Sequence, residues 1–128
     1  MIFVTGGNSQ GKLEFVKTIY AVRESDIADG ADCGFGDAFG KPVLNHLHLL
    51  VKRLLEAGEQ PDGLVDNGLK QNPGIIILCD ELGSGIVPIR REDRELREKV
   101  GRLQCMLAGR AEKVYRVCCG LPMLIKGT

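Results

Sequence analysis

The first twenty residues constrain the fold of this chain more than any other segment. The apolar run at residues 1–5 is typical of a β-strand, residues 6–12 read Gly-Gly-Asn-Ser-Gln-Gly-Lys, and residues 13–20 favour a helix. A Gly-x4-Gly-Lys loop between a strand and a helix is the pattern of a phosphate-binding loop. The sequence therefore predicts a nucleotide site with the candidate residues Gly6, Gly7, Asn8, Ser9, Gln10, Gly11 and Lys12.

This loop keeps its cation but lacks a residue that usually binds the metal. Backbone N–H groups and the helix N-terminus attract a phosphate, and Lys12 adds a full positive charge. The residue after the lysine is ordinarily Ser or Thr, whose hydroxyl binds Mg²⁺, and here it is Leu13.

Length and charge are those of an ordinary single domain. With 128 residues the chain can bury a core, so residues 1–128 are expected to form one domain. Its 17 Lys and Arg residues balance 17 Asp and Glu residues, which argues against a nucleic-acid partner. No apolar run is long enough to span a membrane, and the first residues are not typical of a signal peptide. We therefore expect a cytoplasmic protein.

The five cysteines are interpreted as structural thiols. Their number is odd, none is spaced as Cys-x-x-Cys, and three lie in apolar runs or in a predicted helix. We expect buried, reduced thiols rather than disulfides or metal ligands.

Strands alternate with helices along the chain. The expected helices lie at residues 11–23, from Pro42 to 56, near 62–70 and at 91–110. The further expected strands lie at residues 26–29, 74–81 and 114–118. Residues 29–40 are expected to form a flexible Gly- and Asp-rich loop, and residues 121–125 an apolar tail. Continuous hydrophobicity at 74–81 is typical of a strand buried on both faces of a parallel sheet. The predicted class is an α/β, P-loop NTPase-like (RecA-like) fold, with a mostly parallel sheet flanked by helices.

Carboxylates offer two candidate metal sites. Asp80 and Glu81 end the strand at 74–81, where a carboxylate can hold Mg²⁺ beside the phosphate loop. The alternative is that these acids simply leave the strand for solvent. Asp29, Asp32 and Asp37 could replace the missing metal ligand, although a solvated loop is the preferred interpretation of that segment.

Residues 81–88, Glu-Leu-Gly-Ser-Gly-Ile-Val-Pro, connect the chain to a known family. They resemble the Glu-x-Gly-x-Gly-Ile-Val-Pro signature of the bifunctional adenosylcobinamide kinase / adenosylcobinamide-phosphate guanylyltransferases of cobalamin biosynthesis. Segments within 97–114 and 120–126 are similar to the family's C-terminal helix, strand and Gly-x-Pro tail. The similarity covers residues 1–20 and about 74–127, over half of the chain.

The chain also departs from this family. Leu13 replaces the hydroxyl residue, Asp80 stands where the family usually has Asn, and Gln104-Cys105 where it usually has Asn-Gln. Nothing in residues 21–73 matches the family's His- and Arg-rich stretch, whose histidine is guanylylated. His46 and His48 fall in the helix predicted from Pro42, on different faces, and are interpreted as core histidines rather than nucleotidyl acceptors.

The resemblance implies phosphoryl transfer from ATP or GTP to the hydroxyl on the aminopropanol arm of adenosylcobinamide. Lys12 would neutralise charge on the transferred group, and Asp80 and Glu81 would hold Mg²⁺ or orient the acceptor hydroxyl. Asp80 is the candidate metal ligand, and Lys12 and Glu81 are the candidate catalytic residues. The guanylyltransferase half is predicted to be absent. The implied partners are nucleotide, a corrinoid substrate and further copies of the chain, with no nucleic acid or membrane. The alternative is a catalytically silent, truncated paralogue that binds nucleotide or a protein partner.

Overall fold

A computed structural model describes residues 1–82 and 90–128. In these residues six strands form one sheet with the order β2-β3-β4-β1-β5-β6, and only β6 runs antiparallel to its neighbour. The strands are β1 (Ile2–Gly6), β2 (Ile27–Asp29), β3 (Val43–Asn45), β4 (Ile76–Asp80), β5 (Lys113–Cys118) and β6 (Leu121–Lys126), and the helices are α1 (Lys12–Ile19), α2 (Leu47–Glu56), α3 (Pro61–Gln71) and α4 (Arg91–Arg110). The predicted α/β class with a mostly parallel sheet is confirmed.

The sheet separates two apolar cores because successive strand residues face opposite sides. Phe3 of β1 and Ile77 of β4 pack in the core that α2, α3 and α4 cover. Val4 and Leu78, the next residue of each strand, pack with Val16 of α1 on the other face. Every residue of β4 is buried, as its continuous hydrophobicity predicts.

Strand register brings the segments that carry the candidate site residues to one edge of the sheet. β1 pairs with β4 so that Gly6 lies opposite Asp80, and β3 runs parallel to β4 on the other side. Parallel strands present their carboxyl ends at the same edge, and ligands of α/β proteins bind there. The phosphate loop, the end of β3 and the end of β4 therefore meet.

The predicted helix from Pro42 is wrong at its start. Val43–Asn45 form β3, and α2 begins only at Leu47. Val43 and Leu44 are fully buried between β2 and β4, so tertiary pairing overrides the helical spacing that Val43 shares with the later leucines. A strand of three residues is too short to show a period of its own.

The observed bounds of the other elements differ less from the predicted ones. The first helix ends at Ile19 rather than near residue 23, while the helices predicted near 62–70 and at 91–110 are confirmed as α3 and α4. The loop at 29–40 contains one short 3-10 turn, Phe35–Asp37. The apolar tail forms β6, an edge strand whose residues are all exposed.

Three cysteines contradict the expectation of burial. Cys79 is buried in β4 and Cys33 is half-buried, but Cys105, Cys118 and Cys119 are exposed. Cys105 lies on the outer side of α4, and the other two lie where β5 turns into β6. In the part of the chain that the structure describes, no helix has the length and apolar character needed to cross a membrane.

Candidate nucleotide-binding site

Residues 6–12 connect β1 to α1, as the sequence predicts, and Lys12 is the first residue of the helix. Its ammonium is buried at the base of the loop. Lys12 Nζ donates hydrogen bonds to the carbonyl oxygens of Gly7 at 2.7 Å and Gly6 at 3.3 Å, and it lies 2.7 Å from Asp80 Oδ1. These oxygens account for the three donors of an ammonium. A phosphate oxygen must therefore replace at least one of them to bind Lys12 directly.

Asp80 is held by a second buried group, His48. The backbone N–H of Asp80 donates to His48 Nδ1 at 3.2 Å, and His48 Nε2 lies 3.3 Å from Asp80 Oδ2. Because Nδ1 accepts a hydrogen bond, the neutral imidazole carries its proton on Nε2 and can donate it to the carboxylate. Burial lowers the pKa of His48, while the Asp80 carboxylate works in the opposite direction. His48 therefore fixes the orientation of the carboxylate that pairs with Lys12.

Two glutamines tie this edge of the sheet together. Gln104 of α4 accepts a hydrogen bond from Thr5 Oγ1 at 2.8 Å and donates one to the Asp80 carbonyl at 3.4 Å. Gln10 Oε1 accepts from the Cys119 N–H at 2.7 Å, and the Gln10 carbonyl accepts from the Gly120 N–H at 2.8 Å. Gln104 thus connects α4 to the ends of β1 and β4, and Gln10 anchors the phosphate loop to the turn between β5 and β6.

A cleft of about 230 Å³ lies in front of the loop. Its lining includes residues of the loop and of α1 together with Asn45, His46 and Asp80, which come from the ends of β3 and β4. Asn45 is buried, and its Oδ1 accepts a hydrogen bond from the His46 N–H at 3.0 Å. His46 is half-exposed, and its Nδ1 lies 2.8 Å from Asp29 Oδ1 at the end of β2.

The predicted placement of His46 is therefore wrong, because His46 precedes α2 rather than lying within it. The placement of His48 is confirmed: it is a buried residue of α2 with a hydrogen-bond partner, which is Asp80. This error follows directly from the missed strand β3. The signal was present in Pro42-Val43-Leu44-Asn45, two apolar residues followed by a polar one, but three residues do not outweigh a long helical pattern.

Glu81 lies apart from the cleft. Its backbone N–H donates to the Gly6 carbonyl at 2.8 Å, and its carboxylate accepts from Arg116 Nε at 2.8 Å and Nη2 at 3.2 Å. Such a two-point pair with arginine is a strong, directional contact. The cleft lining includes Asp80 but not Glu81. The proposed role of Glu81 in orienting the acceptor hydroxyl stays a prediction.

The residues present do not fit a direct Mg²⁺ site. Leu13 packs against the apolar core on the α1 face of the sheet, and both oxygens of Asp80 are engaged by Lys12 and His48. Within residues 1–82 and 90–128, no group of three or more His, Cys, Asp or Glu side chains could hold a metal ion. The same finding applies to the loop with Asp29, Asp32 and Asp37, which instead lines a separate cavity of about 510 Å³.

Comparison with known proteins identifies the family. A family model described as cobinamide kinase / cobinamide phosphate guanyltransferase matches residues 37–125, well over half of the chain. The chain belongs to this family. A search of curated proteins gave no match.

The family match covers only part of the candidate nucleotide-binding site. In this cobinamide kinase / guanyltransferase family member, the matched range includes Asn45, His46, His48, Asp80 and Gln104, whereas the phosphate loop precedes it. Most of the signature at 81–88 that carries the predicted resemblance lies outside the described residues, which omit 83–89. The family assignment and the loop motif are therefore two separate lines of evidence.

Proposed function

We propose that this protein binds ATP or GTP at residues 6–12 and transfers a phosphoryl group to the hydroxyl on the aminopropanol arm of adenosylcobinamide. The observation that carries the proposal is the buried Lys12–Asp80 pair at the base of the loop. It supplies a cation where the phosphates would lie, in a chain of the cobinamide kinase / guanyltransferase family. The reaction would serve cobalamin biosynthesis.

Phosphoryl transfer depends mainly on position and on charge neutralisation. In the proposed complex the nucleotide phosphates lie against the backbone N–H groups of the loop, and Lys12 turns from the Gly6 and Gly7 carbonyls toward them. Asp80 keeps the ammonium at the floor of the cleft through its contact with Lys12, and His48 holds the Asp80 carboxylate in place. The acceptor hydroxyl enters from the side of Asn45 and His46, the part of the cleft lining contributed by β3 and the residue after it.

The described residues offer no protein-built site for magnesium. Mg²⁺ would enter on the nucleotide phosphates and supply charge neutralisation there. The prediction that Asp80 binds it directly would require Lys12 and His48 to release the carboxylate.

We also infer that the guanylyltransferase half is absent. The support is the lack of any His- and Arg-rich stretch in residues 21–73. The histidines give this inference no support, because His46 lines the cleft and lies outside α2. Incubation with α-labelled GTP, followed by separation under denaturing conditions, tests this inference. Acid-labile label that is lost in His46→Ala or His48→Ala would contradict it.

A second candidate function is nucleotide binding without catalysis. Leu13 in place of a hydroxyl residue and the full engagement of Asp80 favour it. Transfer from γ-labelled ATP or GTP to adenosylcobinamide separates the two candidates. Binding with transfer that is lost in Lys12→Ala supports the kinase, and binding without transfer supports the silent paralogue. Absence of binding contradicts both nucleotide functions.

Assembly is proposed on the family resemblance, and location and the excluded partners are proposed on charge and hydropathy. We propose a cytoplasmic homo-oligomer without nucleic-acid or membrane partners. Light scattering coupled to size-exclusion chromatography measures the assembly, and a mass equal to one chain of 13.9 kDa would contradict it.

A further inference from the structure

His46 has a backbone conformation that few side chains adopt. Its φ of 59° and ψ of 50° place it in the left-handed region immediately before α2. A residue outside glycine in this region carries strain, and such strain is concentrated at functional sites. Four described residues other than glycine have a positive φ, namely Ser9, Ala21, His46 and Cys119, and of these Ser9 and His46 line the cleft in front of the phosphate loop.

Several elements hold His46 in this conformation. Its N–H donates to Asn45 Oδ1, and its carbonyl accepts hydrogen bonds from the N–H groups of Leu49 at 3.0 Å and Leu50 at 3.2 Å. Gly30, at the end of β2, approaches so closely that a Cβ at that position would lie 2.2 Å from the His46 carbonyl oxygen. The Asn45 side chain, the first turn of α2 and Gly30 therefore hold the backbone of His46 in place.

A carboxylate orients the ring of His46. Asp29 Oδ1 lies 2.8 Å from His46 Nδ1 and also accepts the Ala31 N–H at 2.9 Å. Burial alone would raise the pKa of Asp29, but these hydrogen bonds outweigh it and hold the pKa below its ordinary value. An ionised Asp29 accepts the proton of Nδ1, which leaves the lone pair of the neutral imidazole on Nε2. Among the residues that the structure describes, Nε2 has no hydrogen-bond partner.

The other acid and base groups near this edge are already engaged. Asp80 pairs with Lys12 and His48, and Glu81 pairs with Arg116. Of the remaining ionisable residues that line the cleft, Glu14 lies exposed in the first turn of α1. His46 is therefore the group in the lining with a base atom available on the side of β3.

We propose that His46 is the general base of the phosphoryl transfer and that Asp29 is its positioning residue; this inference rests on the proposed function. Nε2 takes the proton of the acceptor hydroxyl as that oxygen forms a bond to the γ-phosphorus. The bond from the γ-phosphorus to the bridging oxygen breaks, and the nucleoside diphosphate leaves with the electron pair. The imidazolium then returns its proton to solvent. Histidine is the side chain most often used in this way.

The test uses His46→Gly, because glycine adopts the left-handed conformation without strain and leaves room for a soluble base. We expect kcat for transfer to adenosylcobinamide to fall about 10²–10⁴-fold, the usual contribution of a general base. The dissociation constant for nucleotide should stay within about twofold of the wild-type value, since His46 is not part of the loop. Added imidazole should restore much of the lost kcat. It should not restore activity to Lys12→Ala, which is the matched control.

Asp29→Asn provides a second variant that leaves the backbone unchanged. We expect a smaller fall in kcat than for His46→Gly, with unchanged nucleotide affinity. Wild-type kcat in both variants would overturn the proposal, as would a loss that imidazole does not restore. Label from α- or γ-labelled nucleotide retained on His46 under denaturing conditions would also overturn it, because His46 would then be a nucleophile. If the wild-type protein transfers no phosphoryl group, the proposed function and this inference are both overturned. The other results overturn only the role of His46.

Discussion

Lys12 is the residue on which the proposed nucleotide site depends most. Its ammonium is buried and already paired, so the protein maintains a cation at the loop before any phosphate arrives. We predict that Lys12→Ala weakens binding of ATP or GTP by about 2–3 kcal/mol, the scale of a lost charge-assisted hydrogen bond. Titration calorimetry measures the change. Lys17→Ala, on the same helix but paired with Glu24, is the control and should bind as the wild type does.

Equal affinities of wild type and Lys12→Ala would contradict the assignment of the loop. Removing Lys12 leaves Asp80 and His48 buried without the cation, so the variant's thermal stability should be measured beside its affinity.

Leu13 stands where a hydroxyl residue usually binds Mg²⁺, so substituting it tests metal binding at the loop. If the missing hydroxyl limits metal binding, Leu13→Ser should increase Mg²⁺-dependent nucleotide affinity or turnover. Leu13 also packs against the apolar core under α1, so the variant is expected to melt at a lower temperature than wild type. Nucleotide titrations with Mg²⁺ and with EDTA measure the metal-dependent part of the affinity, and the melting temperature measures the loss of packing. No change in either quantity, in a wild type that turns over well, would mean that another group holds the metal.

Single residues also show what the sequence could and could not predict about the site. The loop and Asp80 are recognisable because each follows an apolar strand and has a motif of its own. The contacts of His46 and His48 are not recognisable, because they depend on where a strand of three residues ends. The pairing of Glu81 with Arg116 joins residues 35 positions apart, a distance at which no local pattern operates.

At the scale of the elements, α3 provides a direct test of packing. Gly68 lies against the ring of Phe39, and a Cβ at Gly68 would come within 2.2–2.5 Å of three ring atoms. We predict that Gly68→Ala lowers the free energy of unfolding by about 1–3 kcal/mol, because overpacking outweighs the gain in helix propensity. Gly63, on the same helix, has nothing within 4 Å of its added Cβ. Gly63→Ala should therefore raise the free energy of unfolding by about 0.5–1 kcal/mol.

Urea denaturation of the two variants and of wild type measures both changes. The matched pair separates local propensity from tertiary contact, since the substitution and the helix are the same. If Gly68→Ala is as stable as Gly63→Ala, Phe39 does not lie against α3 as the structure places it.

The elements themselves differ in how far the sequence determines them. α4 and β4 are long or continuously apolar, and both are predicted with nearly their observed bounds. β3 is short, follows a proline and precedes a helix of similar composition, so local propensity favours the helix. Its strand conformation comes from backbone pairing with β2 and β4, which are distant in sequence.

For the whole molecule, strand order explains why one edge carries the site. β1 and β4 are neighbours, and β3 lies next to β4, so segments from three parts of the chain share a single cleft. The alternation of strands and helices predicts a parallel sheet but not which strands are adjacent. The contact between His48 and Asp80 follows only once β3 and β4 are placed side by side.

The cysteines report on the stability of the whole fold. Cys105, Cys118 and Cys119 are exposed, whereas Cys79 lies fully buried in the central strand β4. Burial raises the pKa of Cys79 to about 12, so its thiol is both inaccessible and protonated at neutral pH. We predict rapid native-state alkylation by N-ethylmaleimide at the three exposed positions. Cys79 should react only after opening of the sheet, at a rate that follows the free energy of unfolding.

Peptide mapping by mass spectrometry after timed alkylation distinguishes the sites. Cys33 is half-buried, and burial raises its pKa while Arg53 opposes the rise, so its labelling should be intermediate. Gly68→Ala should accelerate labelling of Cys79 and leave the exposed cysteines unchanged, because the substitution acts through global stability. Labelling of Cys79 as fast as Cys105 in the native wild-type protein would show that β4 is not the buried centre of the sheet.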